Sequence, residues 1–138
     1  MPRRQLPNIL LVLADAAQSG AYALNGGQAV TPHFDRICAE GVRFTHAFTS
    51  SPICHPARTT LLTGLTPRGH GVIANSTHWD WYPFPVSQGV RPVHERLAGA
   101  GYRCGYTGQW HCDGLPRFAD DRTVDPKAFH EGQKARGR

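Results

Sequence analysis

Strand-like and helix-like patterns of apolar and polar positions alternate along this chain of 138 residues. Residues 9–13 form a continuous apolar run, which is typical of a strand buried on both faces of a parallel sheet. Residues 42–48 alternate apolar with polar side chains and predict a second strand, and residues 102–107 predict a third. Three strands are few for a parallel sheet. The pattern therefore indicates an incomplete α/β fold, in which helices flank a mostly parallel sheet.

Residues that start and stop helices mark three helices between these strands, one before the second strand and two before the third. Thr31 is a suitable N-cap, Pro32 suits the first helical position, and Gly41 suits the end of the same helix. A second helix follows a loop after residue 48 and is expected to end near Gly64. A third begins after an Arg-Pro pair, carries apolar residues at helical spacing, and stops at Gly101.

The alternation of strand-like and helix-like patterns is clear over residues 1–114 and is lost beyond them. Residues 65–90, rich in Pro, Gly, His, Trp and Ser, predict irregular structure. Residues 115–138 hold few apolar side chains among many charges and predict a poorly ordered tail. The apolar run of residues 9–14 is too short for a signal peptide or a membrane span. We therefore expect one incomplete domain over residues 1–114, no membrane association and a cytoplasmic location.

Composition and charge suit an ordinary globular protein and disfavour a nucleic-acid-binding one. A hydrophobic content of 40% with 18% charged residues suits an ordinary globular domain. The net charge of +5 is mild and no helix carries a basic stripe, so binding of nucleic acid is not expected, whereas a pocket for a small anion is compatible with it. The four cysteines do not impose a disulfide framework. His111 and Cys112, with Cys104 before them, form only a weak zinc pattern.

The most informative local feature is Cys54 with Pro56 and Arg58 behind it. Pro56 is pre-set for the first turn of a helix, which would place Cys54 at the helix N-terminus, where free N–H groups favour negative charge. Arg58 would follow one turn along, with a guanidinium group able to grip a tetrahedral oxyanion. The alternative interpretation is that Cys54 is simply a buried core residue, as cysteines often are.

The wider sequence favours the chemical interpretation. Cys-x-Pro-x-Arg at residues 54–58 is followed by Thr-Thr-Leu-Leu-Thr-Gly, and residues 108–111 read Gly-Gln-Trp-His. Together these resemble the two signatures of the sulfatase family, in the right order and over about residues 7–114. The other stretches that are similar to the family are residues 7–15, 31–36, 40–44, 47–52, 67–72 and 100–103.

This resemblance implies a specific chemistry and an alkaline-phosphatase-like fold. In the family the motif cysteine, here Cys54, is oxidised by a maturation enzyme to formylglycine, whose hydrated form attacks the sulfur of a sulfate ester. By the same resemblance, Arg58 neutralises and orients this group, and His111 contacts it and moves protons. Asn75 and Gln109 would bind the substrate.

The resemblance also implies a bound divalent cation. Asp15 and Cys54 match metal-binding positions, and Ca²⁺ is the expected ion, with Mn²⁺ or Mg²⁺ as alternatives. Two departures weaken the site. Ala16 stands where many members carry a second acid, and Gln109 stands where the family has lysine. A lost cation facing transition-state charge typically costs about 10²–10³ in rate.

Three interpretations of function remain open. The first is a sulfatase-type hydrolase, or a phosphonate monoester hydrolase of a related branch, of which this chain is an N-terminal segment. The second is a non-catalytic remnant or interaction fragment, because the family's remaining metal ligands lie downstream of the matched region. The third is a generic small anion-binding α/β domain. His70, flanked by glycines, is expected to have a structural, hydrogen-bonded role.

Overall fold

The computed structural model describes residues 6–75 and 86–123. Packing divides the chain into two compact units, Met1–Phe48 and Thr49–Arg138. Part of the segment predicted to be irregular, residues 76–85, lies outside the described residues. No helix in the described part of the chain is long and apolar enough to cross a membrane.

The first unit is built from short helical elements. Two single 3₁₀ turns, Ser19–Ala21 and Ala23–Asn25, precede helix α1, Pro32–Glu40. The predicted bounds of α1 are confirmed, with Pro32 at the first helical position and the N–H of Gly41 donating to the carbonyl of Ile37. Thr31 stands at the N-cap position, but its hydroxyl donates to the carboxylate of Asp35 at 3.1 Å and makes no capping bond to the backbone.

The predictions of two strands in the first unit are wrong. Residues 9–13 and 42–48 form no strand, and their large apolar side chains are exposed, Leu10 by 88% and Phe48 by 92%. A strand needs a hydrogen-bonded neighbour, and an apolar run supplies only the tendency to pair. Among residues 6–48 no side chain is buried, so the described part of this unit contains no packed core that would cover such a strand.

The second unit holds the better packed part of the chain and begins with three helices. They are α2, Cys54–Thr63; α3, Pro67–His70; and α4, Val93–Gly99. The predicted end of α2 is confirmed: Gly64 adopts φ +72°, a left-handed conformation that glycine tolerates, and its N–H donates to the carbonyl of Thr60. α4 confirms the third predicted helix.

Two short strands follow, β1, Gly105–Gly108, and β2, Asp120–Thr123. They pair in parallel, with Gly105 opposite Asp120. β1 confirms the third predicted strand with a later start, and the parallel pairing agrees with the α/β prediction.

The expectation of a poorly ordered tail from residue 115 is wrong for residues 115–123. Leu115 is buried and Asp120–Thr123 forms β2. A strand this short and charged carries no clear pattern of its own, and its conformation depends on pairing with β1. The rest of the predicted tail, residues 124–138, lies outside the described residues.

The core of the second unit lies between α2 and the loop that joins the two strands. Its buried members are Leu62, Trp110, Cys112 and Leu115. The residues that pack against them are Val86, Val90, Tyr106 and Phe118. Because this loop carries three of the four core residues, the segment containing Gln109 and His111 is packed close to α2.

Candidate functional site

The candidate site is built around the first turn of α2. Cys54 is the first residue of this helix and is partly exposed, whereas the next two residues, His55 and Pro56, are fully buried. Ile53 before it is extended, so the chain enters the helix at Cys54. The prediction that Pro56 lies in the first turn and Cys54 at the N-terminus of the helix is therefore confirmed.

Asn75 lies at the same turn. Its side-chain Oδ1 accepts a hydrogen bond of 2.8 Å from the backbone N–H of His55. That N–H belongs to the first turn of α2 and has no acceptor within the helix. Asn75 therefore acts as a helix cap supplied from 20 residues along the chain, and this contact places it beside Cys54.

Arg58 is buried and anchored to the second sequence signature. Its Nη1 donates a hydrogen bond of 2.8 Å to the backbone carbonyl of Gln109. The hydroxyl of Tyr106 donates to the same carbonyl. Burial raises the pKa of Tyr106, while the nearby Arg58 opposes the shift, so this hydroxyl remains a donor at neutral pH. Gln109 thus contributes to the site through its main-chain carbonyl, which connects the end of β1 to α2 by a hydrogen bond.

His111 follows Gln109 by two residues and contacts the first turn of α2. Its ring stacks on that of His55, with centroids 5.6 Å apart and planes 25° from parallel. The backbone of His111 has φ +44°, a left-handed conformation that is uncommon for a residue with a side chain. The Nε2 of His55 lies 3.3 Å from the carbonyl of Asp113. Burial lowers the pKa of His55, so its ring is neutral and Nε2 is the donor.

His70 has the structural role that the sequence predicts. It is fully buried, its Nδ1 accepts from the N–H of Val72 at 3.1 Å, and its Nε2 lies 3.0 Å from Oγ1 of Thr60. An accepting Nδ1 carries no proton, so Nε2 is the donor to Thr60. Burial lowers the pKa of His70 and favours this neutral form.

Two cysteines of the second unit differ in chemical character. Cys112 is a core residue, and burial raises the pKa of its thiol to about 12. A thiol with that pKa stays protonated and is a poor nucleophile. Cys54 is partly exposed at a helix N-terminus. The structure therefore rejects the interpretation of Cys54 as a fully buried core cysteine.

Asp15 lies in the first unit, so its predicted convergence with Cys54 stays a prediction. The side chain of Asp15 is exposed, and the next residue, Ala16, has φ +53°. Within residues 6–75 and 86–123 no group of three or more metal-ligating side chains could hold an ion. The donor set that is described does not by itself fit a cation.

Two contacts of this site were not foreseen from the sequence, those of His55 and Tyr106. His55 occupies a position of the motif that the resemblance leaves undefined. A histidine next to a candidate nucleophile was the signal that could have drawn attention to it. The hydroxyl of Tyr106 contacts the carbonyl of Gln109 only because the chain turns at the end of β1. No local sequence pattern predicts that contact.

Comparison with known proteins identifies relatives over nearly the whole chain. A sequence model of the family described as Sulfatase matches residues 7–135. The chain is 36% identical to the steryl-sulfatase of Rattus norvegicus, over 76% of this chain and 19% of that protein. It is 36% identical to the N-acetylgalactosamine-6-sulfatase of Sus scrofa, over 83% of this chain and 23% of that protein. It is 32% identical to the uncharacterized sulfatase YidJ of Escherichia coli K12, over 81% of this chain and 21% of that protein.

The chain therefore spans about a fifth of the length of the curated relatives it matches. No solved structure matches it.

Proposed function

The chain belongs to the sulfatase family, and from this premise we propose that it is the nucleophile-bearing part of a sulfatase-type hydrolase that cleaves sulfate esters. The observation that carries the proposal is the family match over residues 7–135, which contains both sequence signatures. Relatives named steryl-sulfatase and N-acetylgalactosamine-6-sulfatase act on sulfate esters. We extend this substrate class, but no particular ester, to the protein. We further propose that the α/β arrangement is part of an alkaline-phosphatase-like fold.

The proposed nucleophile is formylglycine, formed from Cys54 by a maturation enzyme. When hydrated, this group supplies one hydroxyl that attacks sulfur as the ester alcohol leaves, and a second hydroxyl whose deprotonation restores the aldehyde and releases sulfate. The contrast between Cys54 and Cys112 supports Cys54 as the residue that is modified. A partly exposed side chain at a helix N-terminus is accessible and lies where negative charge is favoured.

Four further residues have proposed roles around the nucleophile. Arg58 neutralises and orients the reacting anion, and its bond to the Gln109 carbonyl supports a fixed guanidinium position. His111 moves protons to or from the nucleophile and the leaving group. Asn75 and Gln109 bind the substrate through their side-chain amides. The amide of Asn75 already caps the first turn of α2 with its oxygen, which leaves the amide nitrogen as the donor for a sulfate oxygen.

The proposal includes a divalent cation. Asp15 and Cys54 are the proposed ligands, with Ca²⁺ as the ion expected for oxygen donors. Ala16 offers no ligand, and the described residues do not gather a sufficient donor set. We assign no step of the reaction to the cation in this chain.

Maturation provides the direct test of the nucleophile. The chain is co-expressed with a formylglycine-generating enzyme, and its peptides are analysed by mass spectrometry. We expect Cys54 to lose its thiol and gain an aldehyde that reacts with a hydrazide probe. Cys38 is the internal control, because it is also partly exposed but lacks the following proline and arginine. Unmodified Cys54, or equal modification of Cys38, would refute the proposed nucleophile.

A turnover assay separates family membership from activity. The matured chain is assayed with an aryl sulfate and an aryl phosphonate monoester, with added Ca²⁺ or Mn²⁺. We expect no measurable turnover by residues 1–138 alone, since Ala16 and Gln109 remove a ligand and a cation. Turnover that disappears in Cys54→Ala would show that these losses are compensated. Preference for the phosphonate would assign the chain to the phosphonate monoester hydrolase branch. Absence of turnover after full maturation is also the outcome expected for a non-catalytic remnant.

The partners follow from the same proposal. The partners are a small sulfated substrate and the maturation enzyme, with no nucleic acid or membrane among them. The cytoplasmic location remains a prediction from the sequence.

A further inference from the structure

We propose that His55 is a positioning residue, which holds the imidazole of His111 in place beside the first turn of α2. The inference deepens the proposed function, since it matters to catalysis only if His111 takes part in sulfate ester cleavage. Nothing in the family resemblance assigns a role to this position of the motif.

Three contacts of His55 join three separate segments. Its backbone N–H donates to Oδ1 of Asn75 at 2.8 Å, and its Nε2 donates to the carbonyl of Asp113 at 3.3 Å. Its ring face stacks on His111 with a centroid distance of 5.6 Å. The side chain is 1% exposed. One residue therefore contacts the cap of α2, the proposed catalytic histidine and the turn that follows this histidine.

These contacts define the orientation of the His55 ring. The backbone bond to Asn75 fixes one end of the residue, and the Nε2 bond to Asp113 fixes the other. Among the described residues the ring itself is hydrogen-bonded at Nε2 and not at Nδ1. Burial limits the rotamers that this ring can adopt, so the Nε2 bond is enough to present one ring face in a defined direction. His111 lies against that face, at 25° from parallel, which is a stacked arrangement.

His111 needs such support because its own segment provides little. It lies in neither a helix nor a strand, just beyond the end of β1, and its backbone is in the left-handed region. Among the described residues its Nδ1 is buried without a hydrogen-bond partner. A ring without a hydrogen bond at this nitrogen depends on packing for its orientation. The His55 ring supplies that packing.

The competing explanation is that His55 only fills space in the core. The two explanations differ in what a smaller side chain would release. If His55 is a positioning residue, its loss frees His111 while the rest of the second unit stays packed. If His55 only fills the core, its loss loosens buried histidines throughout the unit. His70 is a suitable reporter, because it is fully buried and bonded through both ring nitrogens to other residues.

The test measures how fast each histidine of the 138-residue chain reacts with diethyl pyrocarbonate, by peptide mass spectrometry at low protein concentration. In His55→Ala we expect the reaction at His111 to accelerate several-fold, while His70 stays protected. In His55→Phe, which keeps a stacking ring of similar size but lacks the Nε2 donor to Asp113, His111 should react more slowly than in His55→Ala. His94→Ala is the matched control, since His94 is buried in the same unit but packs on Phe118, at a centroid distance of 3.9 Å, and on the Trp110 ring, at 6.2 Å, rather than on the His111 ring. Its effect on the reaction at His111 should be smaller than that of His55→Ala.

Several outcomes would overturn the inference. They are an unchanged rate at His111 in His55→Ala, a parallel rise at His70, failure of phenylalanine to restore protection, or an equal effect of His94→Ala. Because the readout involves neither maturation nor turnover, its result is independent of the tests of the proposed function. A positive result with an unmodifiable Cys54 would support the packing of His55 on His111 and refute the proposed nucleophile.

Discussion

At the scale of single residues, the carbonyl of Gln109 connects α2 to the end of β1 in the candidate site. It accepts hydrogen bonds from both Arg58 and Tyr106. A buried arginine requires such partners, because an unpaired charge in a protein interior is costly. The replacement of the family's lysine by glutamine changes the side chain at this position but keeps the main-chain carbonyl. The anchoring of Arg58 therefore survives the substitution that removes the neighbouring positive charge.

The hydroxyl of Tyr106 should contribute to stability independently of its ring. Tyr106→Phe removes the donor to the Gln109 carbonyl, while the ring keeps its packing against Trp110 at a centroid distance of 5.0 Å. We expect a loss of about 1 kcal/mol in the free energy of unfolding, measured by urea titration, since Arg58 still satisfies the carbonyl. Tyr22→Phe, at a ring that packs on Phe34 in the first unit, serves as the control. A wild-type midpoint for Tyr106→Phe would show that the hydroxyl adds nothing.

At the scale of elements, α2 organises the second unit. Its first turn contacts Asn75 and the turn around His111, and Thr60 near its end contacts His70 of α3. The helix begins and ends at residues that the sequence identifies, and its position is set by these contacts with other segments.

The cap from Asn75 is expected to stabilise α2. Asn75→Ala leaves the N–H of His55 without its acceptor, which should cost about 1 kcal/mol in the free energy of unfolding. Asn75→Asp keeps an acceptor and adds a negative charge near the helix N-terminus, so it should retain wild-type stability. Urea titration of both variants tests the assignment. Equal losses in the two would mean that the amide nitrogen, rather than the oxygen, makes the important contact.

Acidification should destabilise the second unit. Burial lowers the pKa values of His70 and His94 below their ordinary value of 6.5. The unfolded chain therefore binds more protons than the folded chain as the pH falls below about 6.5. Stability is fully present above that pH and is lost as the pH falls through the folded pKa values. We expect the urea midpoint to drop between about pH 7.5 and about pH 5.5.

The variant His70→Asn should show a smaller pH dependence. An asparagine can still accept from the N–H of Val72 but does not titrate in this range. A midpoint that is constant with pH in the wild type would contradict the assignment of neutral buried histidines.

At the scale of the whole chain, the two units differ in how much apolar surface they bury. The second has a core formed by residues of α2 and of the loop between β1 and β2. In the first, residues 9–13 and 42–48 leave large apolar side chains exposed. Exposed apolar segments with strand-forming composition favour association between chains.

We accordingly expect residues 1–138 to associate as the protein concentration rises. Sedimentation velocity over a concentration series should show growing oligomers. The double variant Leu10→Lys and Phe48→Lys, at positions that are 88% and 92% exposed, should reduce the association without lowering the urea midpoint of the second unit. Lysine substitution at the exposed Gln28 is the control. A wild-type monomer at every concentration would contradict the expectation.

Local interactions explain why α1, α2 and α4 could be predicted from the sequence alone, whereas the single turn of α3 lies in a segment predicted to be irregular. The prolines in the first turns of α1 and α2 and the glycines that end both helices act within a few residues, so they are readable without a fold. The same holds for the position of Cys54 at the start of α2 and for Gln109 and His111 just beyond β1. The family resemblance also lies entirely in the sequence. The cap of α2 by Asn75, in contrast, is not local.

Pairing and packing over long distances were decided only by the tertiary structure. Residues 9–13 have a strand's composition but no described partner strand, whereas Asp120–Thr123 is a poor strand by composition and pairs with β1. The contacts of His55 with Asp113, and of Tyr106 and Arg58 with Gln109, depend on how the chain turns after β1. A hydrogen bond or a stacked ring between distant segments depends on both partners, so no single stretch of sequence predicts it.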